Sequence, residues 1–423
     1  MKVRPGYKMT EVGVVPDDWQ SALLDDVARR GSGHTPSKSR SEYWNGTIGW
    51  VSLRDSNNLD KTYIEETEIS ITEAGLINSS AILHPAGTVL LSRDAGVGKS
   101  SVMTIPLAVS QHFITWTCSE SLNNLFLYHW LQLKKNEFER VAVGSTIKTI
   151  GVPYFKLLRC PVPSITEQQA IADALSDTDA SIKSLDRLIA KKRQFKQGAM
   201  QQLLTGKQRL PGFDGKWKTK SMGELFSFAG GYTASRDQLS VVGHGYLHYG
   251  DIHLHDRTHI DVSNEYAGLP KLDVDIRKVN PKSRLQNGDI VFVDASEDVA
   301  GTSNHVVVSN VAEKEYIAGL HTITAKSKDN SIDHLFRRFC FQTDSIKEQF
   351  RFYAVGTKVS GMSKSNIAKV EMVYPPLPEQ RAIARTLSDL DAELTALTAC
   401  RDKAKLIKQG MMQELLTGKT RLV

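Results

Sequence analysis

Two long stretches of the chain carry apolar side chains three or four positions apart, which is the spacing of one face of an α-helix. In the first stretch these residues are Ile171, Leu175, Ile182 and Leu185, and in the second they are Ile383, Leu387, Leu394 and Leu397. Prolines precede both stretches, and Gly206 and Gly418 follow them, as is typical of helix starts and ends. Glu167 to Leu204 is 38 residues, or about 57 Å of helix. We therefore predict two long helices that pack on each other through these apolar residues.

The two predicted helices belong to an internal repeat. Residues 163–210 and 375–422 align without a gap at an offset of 212 positions, with 25 identities in 48. Both copies open on Glu-Gln and close on Leu-Leu-Thr-Gly-Lys. A long amphipathic helix needs a partner, and its own copy is the obvious one. We expect an antiparallel, coiled-coil-like pair with pseudo-twofold symmetry.

Short apolar runs outside the repeat predict β-strands. VLLS, HFITW, IVFV and HVVV are bounded by Gly, Pro, Asn and Asp, and helical patterns occur near the end of each region. Segments of residues 1–162 recur weakly and in the same order in residues 211–374, such as SQHFIT and GLHTIT. The predicted fold class is α/β (α+β), with two globular units in tandem at 1–162 and 211–374. The long helical segments occupy 163–210 and 375–423, and the segment before Trp19 is expected near the C-terminal helix.

Composition narrows the class of protein only moderately. The chain has 423 residues, of which 40% are apolar and 24% charged, with a net charge of +6. These values are those of a globular protein, and the charge permits a nucleic-acid partner without requiring one. No apolar run is long enough for a membrane span. The four cysteines have no metal or disulfide spacing, which favours free thiols and a cytoplasmic location.

Catalytic motifs are not found in the sequence. DAGVGKSS at 94–101 has Arg93 where a phosphate loop needs glycine, so we interpret it as a glycine-rich connection between strands. YPPLPEQ at 374–380 differs from the adenine-methyltransferase tetrapeptide and is interpreted as the entry to a helix. We find no nuclease, helicase or nucleophile-elbow pattern. The prediction is a non-catalytic protein.

Histidines cluster between residues 244 and 259. They are His244, His248, His253, His255 and His259. His253 and His255 would share one face of a strand, but no cysteine is near and no familiar zinc signature is present. A metal site, ordinary polar residues and nucleic-acid contacts all stay open as interpretations, and no metal is predicted.

The whole chain resembles the specificity (S) subunit of type I DNA restriction-modification systems. The resemblance is carried by the paired PxxEQxxIA…LLTGK helices at 165–210 and 377–422, alternating with two variable regions. It implies that each variable region reads half of a bipartite, asymmetric double-stranded DNA site. It also implies that the helices set the spacer and dock two methyltransferase subunits, with restriction/translocase subunits joining them. S-adenosylmethionine, ATP and Mg are expected on those partner subunits only. The alternative is a coiled-coil scaffold with two ligand- or protein-binding heads.

Polar residues in the loops that recur between the two regions are the candidates for DNA contact. In the first region these are His34, Thr35, Arg54, Arg93, Ser145, Thr146 and Lys148. In the second region they are Tyr232, Thr233, His248, Asp251, Thr357, Lys358 and Ser360.

Overall fold

A computed structural model describes residues 3–253, 258–296, 304–356 and 360–422. By contact, the chain divides into two compact units. The first unit comprises residues 1–187 with 398–423, and the second comprises residues 188–397. Each unit therefore contains one globular region together with parts of both long helices.

The first unit is built on two small sheets. Its five-stranded sheet has the order Ala28–Ser32, Phe113–Cys118, Val89–Ser92, Ser100–Met103 and Tyr63–Ile64. Neighbours are antiparallel except for the last pair. The four-stranded sheet has the order Ser70–Ile71, Trp44–Val51, Leu107–Val109 and Leu83–His84. Two-stranded ladders join Tyr7–Thr10 to Gly13–Pro16 and Gln20–Leu23 to Arg159–Val162.

The first unit also contains short helices, of which Asn124–Leu133 packs on the strands Val89–Ser92 and Ser100–Met103. The helices are Leu24–Val27, Glu73–Ile77, Asn124–Leu133, Lys135–Val141 and Val152–Lys156, with 3₁₀ turns at Ser41–Tyr43 and Leu53–Asn57. The core contains the buried rings of Trp19, Trp116, Phe126 and Trp130. Asn123 caps Asn124–Leu133 by accepting hydrogen bonds from two backbone amides, which fixes where that helix begins.

The second unit repeats this plan. Its five-stranded sheet has the order Phe226–Gly230, Thr322–Ser327, Ile290–Val293, His305–Ser309 and His259–Asp261, again with only the last pair parallel. Its four-stranded sheet has the order Leu239–Ser240, Lys271–Leu272, His244–Leu247 and Tyr316–Ala318. Further ladders join Lys218–Ser221 to Glu371–Tyr374 and Ala295–Ser296 to Ser360–Gly361.

Short helices complete the second unit. They are Met222–Leu225, Tyr249–His253, Val262–Glu265, Arg337–Cys340, Asp344–Tyr353 and Lys364–Lys369, with 3₁₀ turns at Arg236–Gln238, Ile276–Lys278 and Pro281–Ser283. Phe226, Phe292, Phe336 and Phe350 are buried in the core. The predicted α+β class is confirmed, as are strands at VLLS, HFITW, IVFV and HVVV.

The repeated stretches form two helices of 39 residues each, Ile165–Leu203 and Leu377–Leu415. We call them the first and second long helix. Each follows a strand directly across the proline-containing segment predicted as a helix entry. Gly206 and Gly418 take φ of +69° and +67°, the left-handed conformation that ends a helix.

Within each unit the long helices run antiparallel and are linked by charged side chains. In the first unit Lys408 Nζ donates to Asp179 Oδ2 at 2.7 Å. In the second unit Lys196 Nζ donates to Asp391 Oδ1 at 2.5 Å. These pairs are the same two repeat positions, because Asp391 is 212 residues after Asp179 and Lys408 is 212 after Lys196. Part of the contact is thus ionic, although the sequence pattern predicted an apolar one.

The apolar residues predicted at this contact differ in burial. Ile171, Leu175, Ile383 and Leu387 are at most 1% exposed and join the unit cores, while Ile182 is 9% exposed. Leu185, Leu394 and Leu397 are half-buried. In the first unit, Ile171 and Leu175 share a cluster with Met412, Leu415 and Leu416 of the second long helix and its end. The helix ends are therefore held by apolar contacts with the globular cores as well as with each other.

The identical residues that open and close the repeat bind each other across its two copies. Glu167 is fully buried and accepts hydrogen bonds from Arg421 Nη2 at 2.8 Å and Trp19 Nε1 at 3.0 Å. Glu379, 1% exposed, accepts from Arg209 Nη2 at 2.6 Å. We call these two contacts the Glu–Arg joints. They explain why both copies keep the Glu and the Arg.

The neighbouring glutamines fix the start of each long helix to its globular region. Gln168 Nε2 donates to the Ser121 carbonyl at 2.9 Å, and the Asn123 amide donates to Gln168 Oε1 at 2.7 Å. Gln380 makes the same two contacts with the Ser331 carbonyl and the Asp333 amide, at 2.9 and 2.8 Å. The segment before Trp19 lies against the end of the second long helix, as predicted. There, Tyr7 Oη donates to the Gly418 carbonyl at 2.8 Å.

Candidate nucleic-acid interface

A cleft of about 590 Å³ with a mainly apolar lining opens on the first unit. Its lining includes Thr35, Lys38, Trp44, Trp50, Arg54, Gln111 and His112. The rings of Trp44 and Trp50 meet edge to face, with centroids 5.3 Å apart. Two of the predicted contact residues, Thr35 and Arg54, thus share a cleft with aromatic and basic side chains.

A capped 3₁₀ turn positions Arg54. The Ser52 amide donates to Asp55 Oδ2 at 2.8 Å, and the Arg54 amide donates to Ser52 Oγ at 3.2 Å. Asp55 is fully buried and also accepts from the Glu68 amide at 2.8 Å. Because the Asp55 carboxylate binds the turn to the Glu68 backbone, the exposed Arg54 side chain starts from a hydrogen-bonded backbone.

The loop that carries His34 and Thr35 is fixed by two hydrogen bonds. Trp50 Nε1 donates to the His34 carbonyl at 3.1 Å, and Thr35 Oγ1 donates to Gln111 Oε1 at 2.6 Å. The His34 side chain is exposed. The predicted residues of this loop therefore lie beside the segment that contains His112.

Arg93 lies deeper than the sequence indicated. Its side chain is 20% exposed, and its Nε lies 3.7 Å from Asp94 Oδ1. Asp94 also pairs with His112, whose Nδ1 is 2.7 Å from Asp94 Oδ2. The connection from Ala95 to Gly98 uses positive φ at Ala95, Gly96 and Gly98. It joins two antiparallel strands, which confirms the predicted glycine-rich strand connection.

The loop with Ser145, Thr146 and Lys148 lies next to this connection. The Ala95 amide donates to the Lys148 carbonyl at 3.3 Å, and the Ile150 amide donates to the Arg93 carbonyl at 2.9 Å. All three predicted side chains of the loop are exposed. Thr35 and Arg54 thus line the cleft, and backbone hydrogen bonds join the loop of Lys148 to the connection beside the Asp94–His112 pair.

The second unit also has an Asp–His pair, and its histidine aligns with His112. Its carboxylate comes from a different position, because Asp294 aligns with Arg93 and Asp94 aligns with Ala295. His321 Nδ1 lies 3.2 Å from Asp294 Oδ1, and the Asp294 amide donates to the His321 carbonyl at 3.1 Å. The Met362 amide donates to the Asp294 carbonyl at 2.8 Å, which matches the contact between Ile150 and Arg93. The ring of Tyr249 lies 5.3 Å from that of His321.

Two predicted residues of the second unit serve its internal structure. His248 is 6% exposed, and its Nδ1 accepts from the Gly250 amide at 3.1 Å. Burial and the nearby charge of Arg236 lower its pKa. Asp251 accepts from the His248 amide at 3.2 Å and from Arg236 Nη2 at 3.1 Å. A DNA contact by the buried His248 ring therefore has no geometric support.

The remaining predictions for the second unit are only partly described. Tyr232 is half-buried, with its amide bonded to the Ala318 carbonyl at 2.7 Å, and Thr233 is exposed. Thr357 and Lys358 lie outside the described residues, and for Ser360 only the backbone strand is described.

The interpretation of the histidine cluster as a metal site gains no support. His255 lies outside the described residues, and the His253 side chain is not described. Among the described residues, no group of three His, Cys, Asp or Glu could hold a metal ion. Nor does any helix in the described ranges have an apolar stretch long enough to cross a membrane. All four cysteines are free thiols, as expected.

The sequence analysis missed the two Asp–His pairs and the cleft residues Lys38 and Gln111. A signal for the histidines was present, since SQHFIT and GLHTIT place a histidine at the same position of an aligned strand start. Their carboxylate partners lie 18 and 27 residues away and could not be paired with them by spacing.

Comparison with known proteins gives a consistent result. The profile of the type I restriction modification DNA specificity domain matches residues 16–191 and 214–408. The MjaIX type I restriction enzyme specificity subunit of Methanocaldococcus jannaschii is 23% identical over 98% of this chain and 96% of its own. The crystal structure of a type I restriction-modification S subunit from M. genitalium has a TM-score of 0.56 at 16% identity, covering 98% of both chains. A chain from a study of complex assembly and conformational transition in a type I system has a TM-score of 0.60 at 15% identity, covering 96% of this chain and 99% of the other.

Proposed function

Because the chain belongs to the type I restriction modification DNA specificity family, we propose that it selects the DNA sequence on which a type I restriction-modification complex acts. Each unit reads one half of a bipartite, asymmetric site in double-stranded DNA. The observation that supports this proposal is that the predicted residues Thr35 and Arg54 line one cleft of the first unit, with Arg93 close to it beside Asp94 and His112. The chain acts in the cytoplasm as a non-catalytic subunit.

The first-unit cleft is suited to direct base readout. Arg54 is exposed on a hydrogen-bonded turn, and its guanidinium can donate two hydrogen bonds to O6 and N7 of a guanine in the major groove. The equivalent position in the aligned segment of the second unit is Gly250. This difference supports two half-sites of unlike sequence.

The long helices supply surfaces for partner subunits. Phe195 and Ile407 occupy the same repeat position on the two long helices and are 62% and 51% exposed. Exposed apolar residues kept at one position of a repeat favour a protein contact. We assign them to the docking of two methyltransferase subunits, to which restriction/translocase subunits add. S-adenosylmethionine, ATP and Mg belong to those partners.

Selection from a random duplex pool with the full-length chain tests the proposal. The expected result is enrichment of a split motif with two fixed half-sites and a constant gap. The Arg54→Ala variant should relax one position of one half-site at a cost of about 1–3 kcal/mol. The matched control is Arg193→Ala, because Arg193 is exposed on the first long helix. A pool that enriches no split motif would instead favour a scaffold with two ligand- or protein-binding heads. Robust methyl transfer by the chain alone would also contradict the proposal.

A further inference from the structure

The cleft of the first unit has the walls of a nucleotide site, and we propose that it receives one nucleotide displaced from the DNA duplex. The ring of Trp44 stacks on the displaced base, and Lys38 contacts the phosphate of the same nucleotide. Arg54, which is exposed, keeps its contact with a guanine in the adjoining groove. The inference rests on the proposed function and adds to it an unstacked base in one of the two half-sites.

Both tryptophans of the cleft are held in place by their own N–H groups. Trp44 Nε1 donates to the Ser37 carbonyl at 3.0 Å, and Trp50 Nε1 donates to the His34 carbonyl. Trp50 is 5% exposed, whereas Trp44 is only partly buried. Because the indole N–H groups are already used inside the protein, Trp44 offers a ligand the carbon surface of its ring. Such a surface is suited to stacking on a flat base.

The polar groups of the lining favour a nucleotide over an uncharged flat ligand. The side chains of Lys38 and Arg54 are exposed, and neither has an ion pair or a hydrogen bond within the described residues. Such cations can donate charge-assisted hydrogen bonds to a phosphate. Ser110 is 1% exposed, and its hydroxyl has no hydrogen-bond partner in the described part of the chain. A buried hydroxyl without a partner is unfavourable, and the ring nitrogens and exocyclic groups of a base can supply one.

The shape of the site favours a displaced nucleotide over a base that stays in the stack. Base edges lie on the floor of the major groove, about 8.5 Å deep, so a side chain must protrude to reach them. The cleft is recessed, and its volume of about 590 Å³ lies within the range of sites that enclose a small ligand. Proteins that take a base out of the duplex hold it between aromatic and apolar side chains. Trp44, Leu53 and Ile69 provide such walls here.

The second unit fills the corresponding space with one of its own side chains. Arg236 aligns with Lys38, and its Nη2 donates to Asp251 Oδ1 at 3.1 Å. The same Nη2 would lie 2.5 Å from a Cβ added to Gly250, which is the position aligned with Arg54. The cation of the second unit is thus engaged in an internal ion pair. We therefore expect the displaced nucleotide in the half-site that the first unit reads, which is the half-site that Arg54→Ala relaxes.

Single mismatches test the inference, because displacement reverses the sign of their effect. Each base of the selected duplex is left in place while its partner base is replaced, and the affinity of the full-length chain is measured. A mismatch at a base pair that is read in the stack should weaken binding by about tenfold or more. At the displaced nucleotide a mismatch should instead tighten binding by about tenfold, because the base pair no longer has to be broken.

Variants of the cleft assign this effect to its residues. Trp44→Ala should weaken binding of the fully paired duplex by about tenfold, which is the size of one stacking contact, and should abolish the tightening by the mismatch. Trp44→Phe keeps a flat ring and should keep the tightening. Lys38→Ala should lower the magnitude of the slope of log K against log salt by about 0.9 and leave the selected motif unchanged. The matched control is Tyr63→Ala, since Tyr63 is 51% exposed in the same unit and outside the cleft lining. It should change neither the affinity nor the mismatch profile.

Free nucleotides are the other source of the same ligand chemistry. The unaltered chain and Trp44→Phe are titrated with dAMP and with dTMP while tryptophan fluorescence is recorded. No saturable change is expected, because a free nucleotide lacks the contacts that the rest of the duplex contributes. Saturable quenching that depends on Trp44 and competes with duplex binding would assign the cleft to a soluble ligand and overturn the inference.

A profile in which every mismatch weakens binding would also overturn it, as would a tightening that persists in Trp44→Ala. Each of these results leaves split-site selection intact. Failure of the unaltered chain to select any split motif would count against the proposed function instead.

Discussion

Replacing Glu167 by alanine tests whether the Glu–Arg joint stabilises the first unit. Glu167 is fully buried, and its carboxylate serves both Arg421 and the indole of the buried Trp19. Truncation leaves that indole N–H without an acceptor and removes one of two carboxylates from Arg421. Asp18, which accepts from Arg421 Nη2 at 2.8 Å, remains.

The expected loss in the free energy of unfolding follows from these contacts. Breaking a buried ion pair by removing one partner costs about 3–5 kcal/mol. Arg421 is 31% exposed and keeps Asp18, so water and the second carboxylate compensate part of the loss. We expect about 3 kcal/mol, at the lower end of that range. For a unit of this size, the melting temperature of its transition should fall by about 6–12 °C.

Calorimetry and urea unfolding measure this loss, and hydrogen exchange in peptides from 160–175 and 405–422 localises it. The control is Glu393→Ala, since Glu393 is 44% exposed and pairs with Lys192 on the surface. That change should cost about 0–1 kcal/mol. The reasoning is refuted if Glu167→Ala costs no more than the control. It is also refuted if Glu167→Ala and Arg421→Ala prove additive, because contacting partners should couple.

Three other perturbations are expected to raise stability, to weaken partner binding and to change the pH dependence of stability. Gly198→Ala and Gly410→Ala should each stabilise the chain by about 0.5–1 kcal/mol in urea unfolding, since both glycines are helical and a Cβ there meets nothing within 4 Å. Phe195→Asp with Ile407→Asp should weaken co-purification with methyltransferase subunits while leaving the affinity for the selected duplex unchanged. Burial, together with the charge of Lys408, lowers the pKa of His129 to about 3, so the native state keeps this ring neutral while the unfolded chain protonates. Stability should therefore fall as the pH drops below about 6.5, by up to about 1.4 kcal/mol per pH unit, and His129→Gln should flatten that dependence.

Each of these three predictions has a result that would contradict it. A destabilising alanine at either glycine would mean that the helix is strained there. Lys191→Asp is the control for the docking variants, because Lys191 is exposed on the same helix. If Lys191→Asp reduced co-purification as much as the docking variants do, the loss would come from the change in charge and not from the removal of apolar contacts. An unchanged pH slope in the His129 variant would assign acid sensitivity to other groups.

Local signals in the sequence predicted the elements of the fold well. Apolar runs bounded by turn residues became strands, and the proline-rich segments became the entries to the long helices. Gly206 and Gly418 end helices because left-handed backbone is open to glycine without strain. These features depend on a few neighbouring residues, so a single sequence contains the information.

Long-range pairings could not be predicted in the same way. The Glu–Arg joints connect residues 254 and 170 positions apart, and no local pattern relates their members. The burial of His248 results from the turn that Asp251 caps, which loop polarity alone does not reveal. Arg93 is partly covered because Asp94 and the neighbouring loop lie against it. For the same reason, the sequence could not tell which of the candidate DNA-contact residues are buried or partly covered.

The Glu–Arg joints also bear on how such a gene can change. Both joints use a glutamate and an arginine at the same repeat positions. The start of each long helix is therefore bound to the end of the other repeat copy by the same kind of ion pair. Recombination within the repeats could replace an entire recognition region and leave its attachment points unaltered. New target specificities would then be inherited as complete blocks, without the compensating substitutions that a unique interface demands.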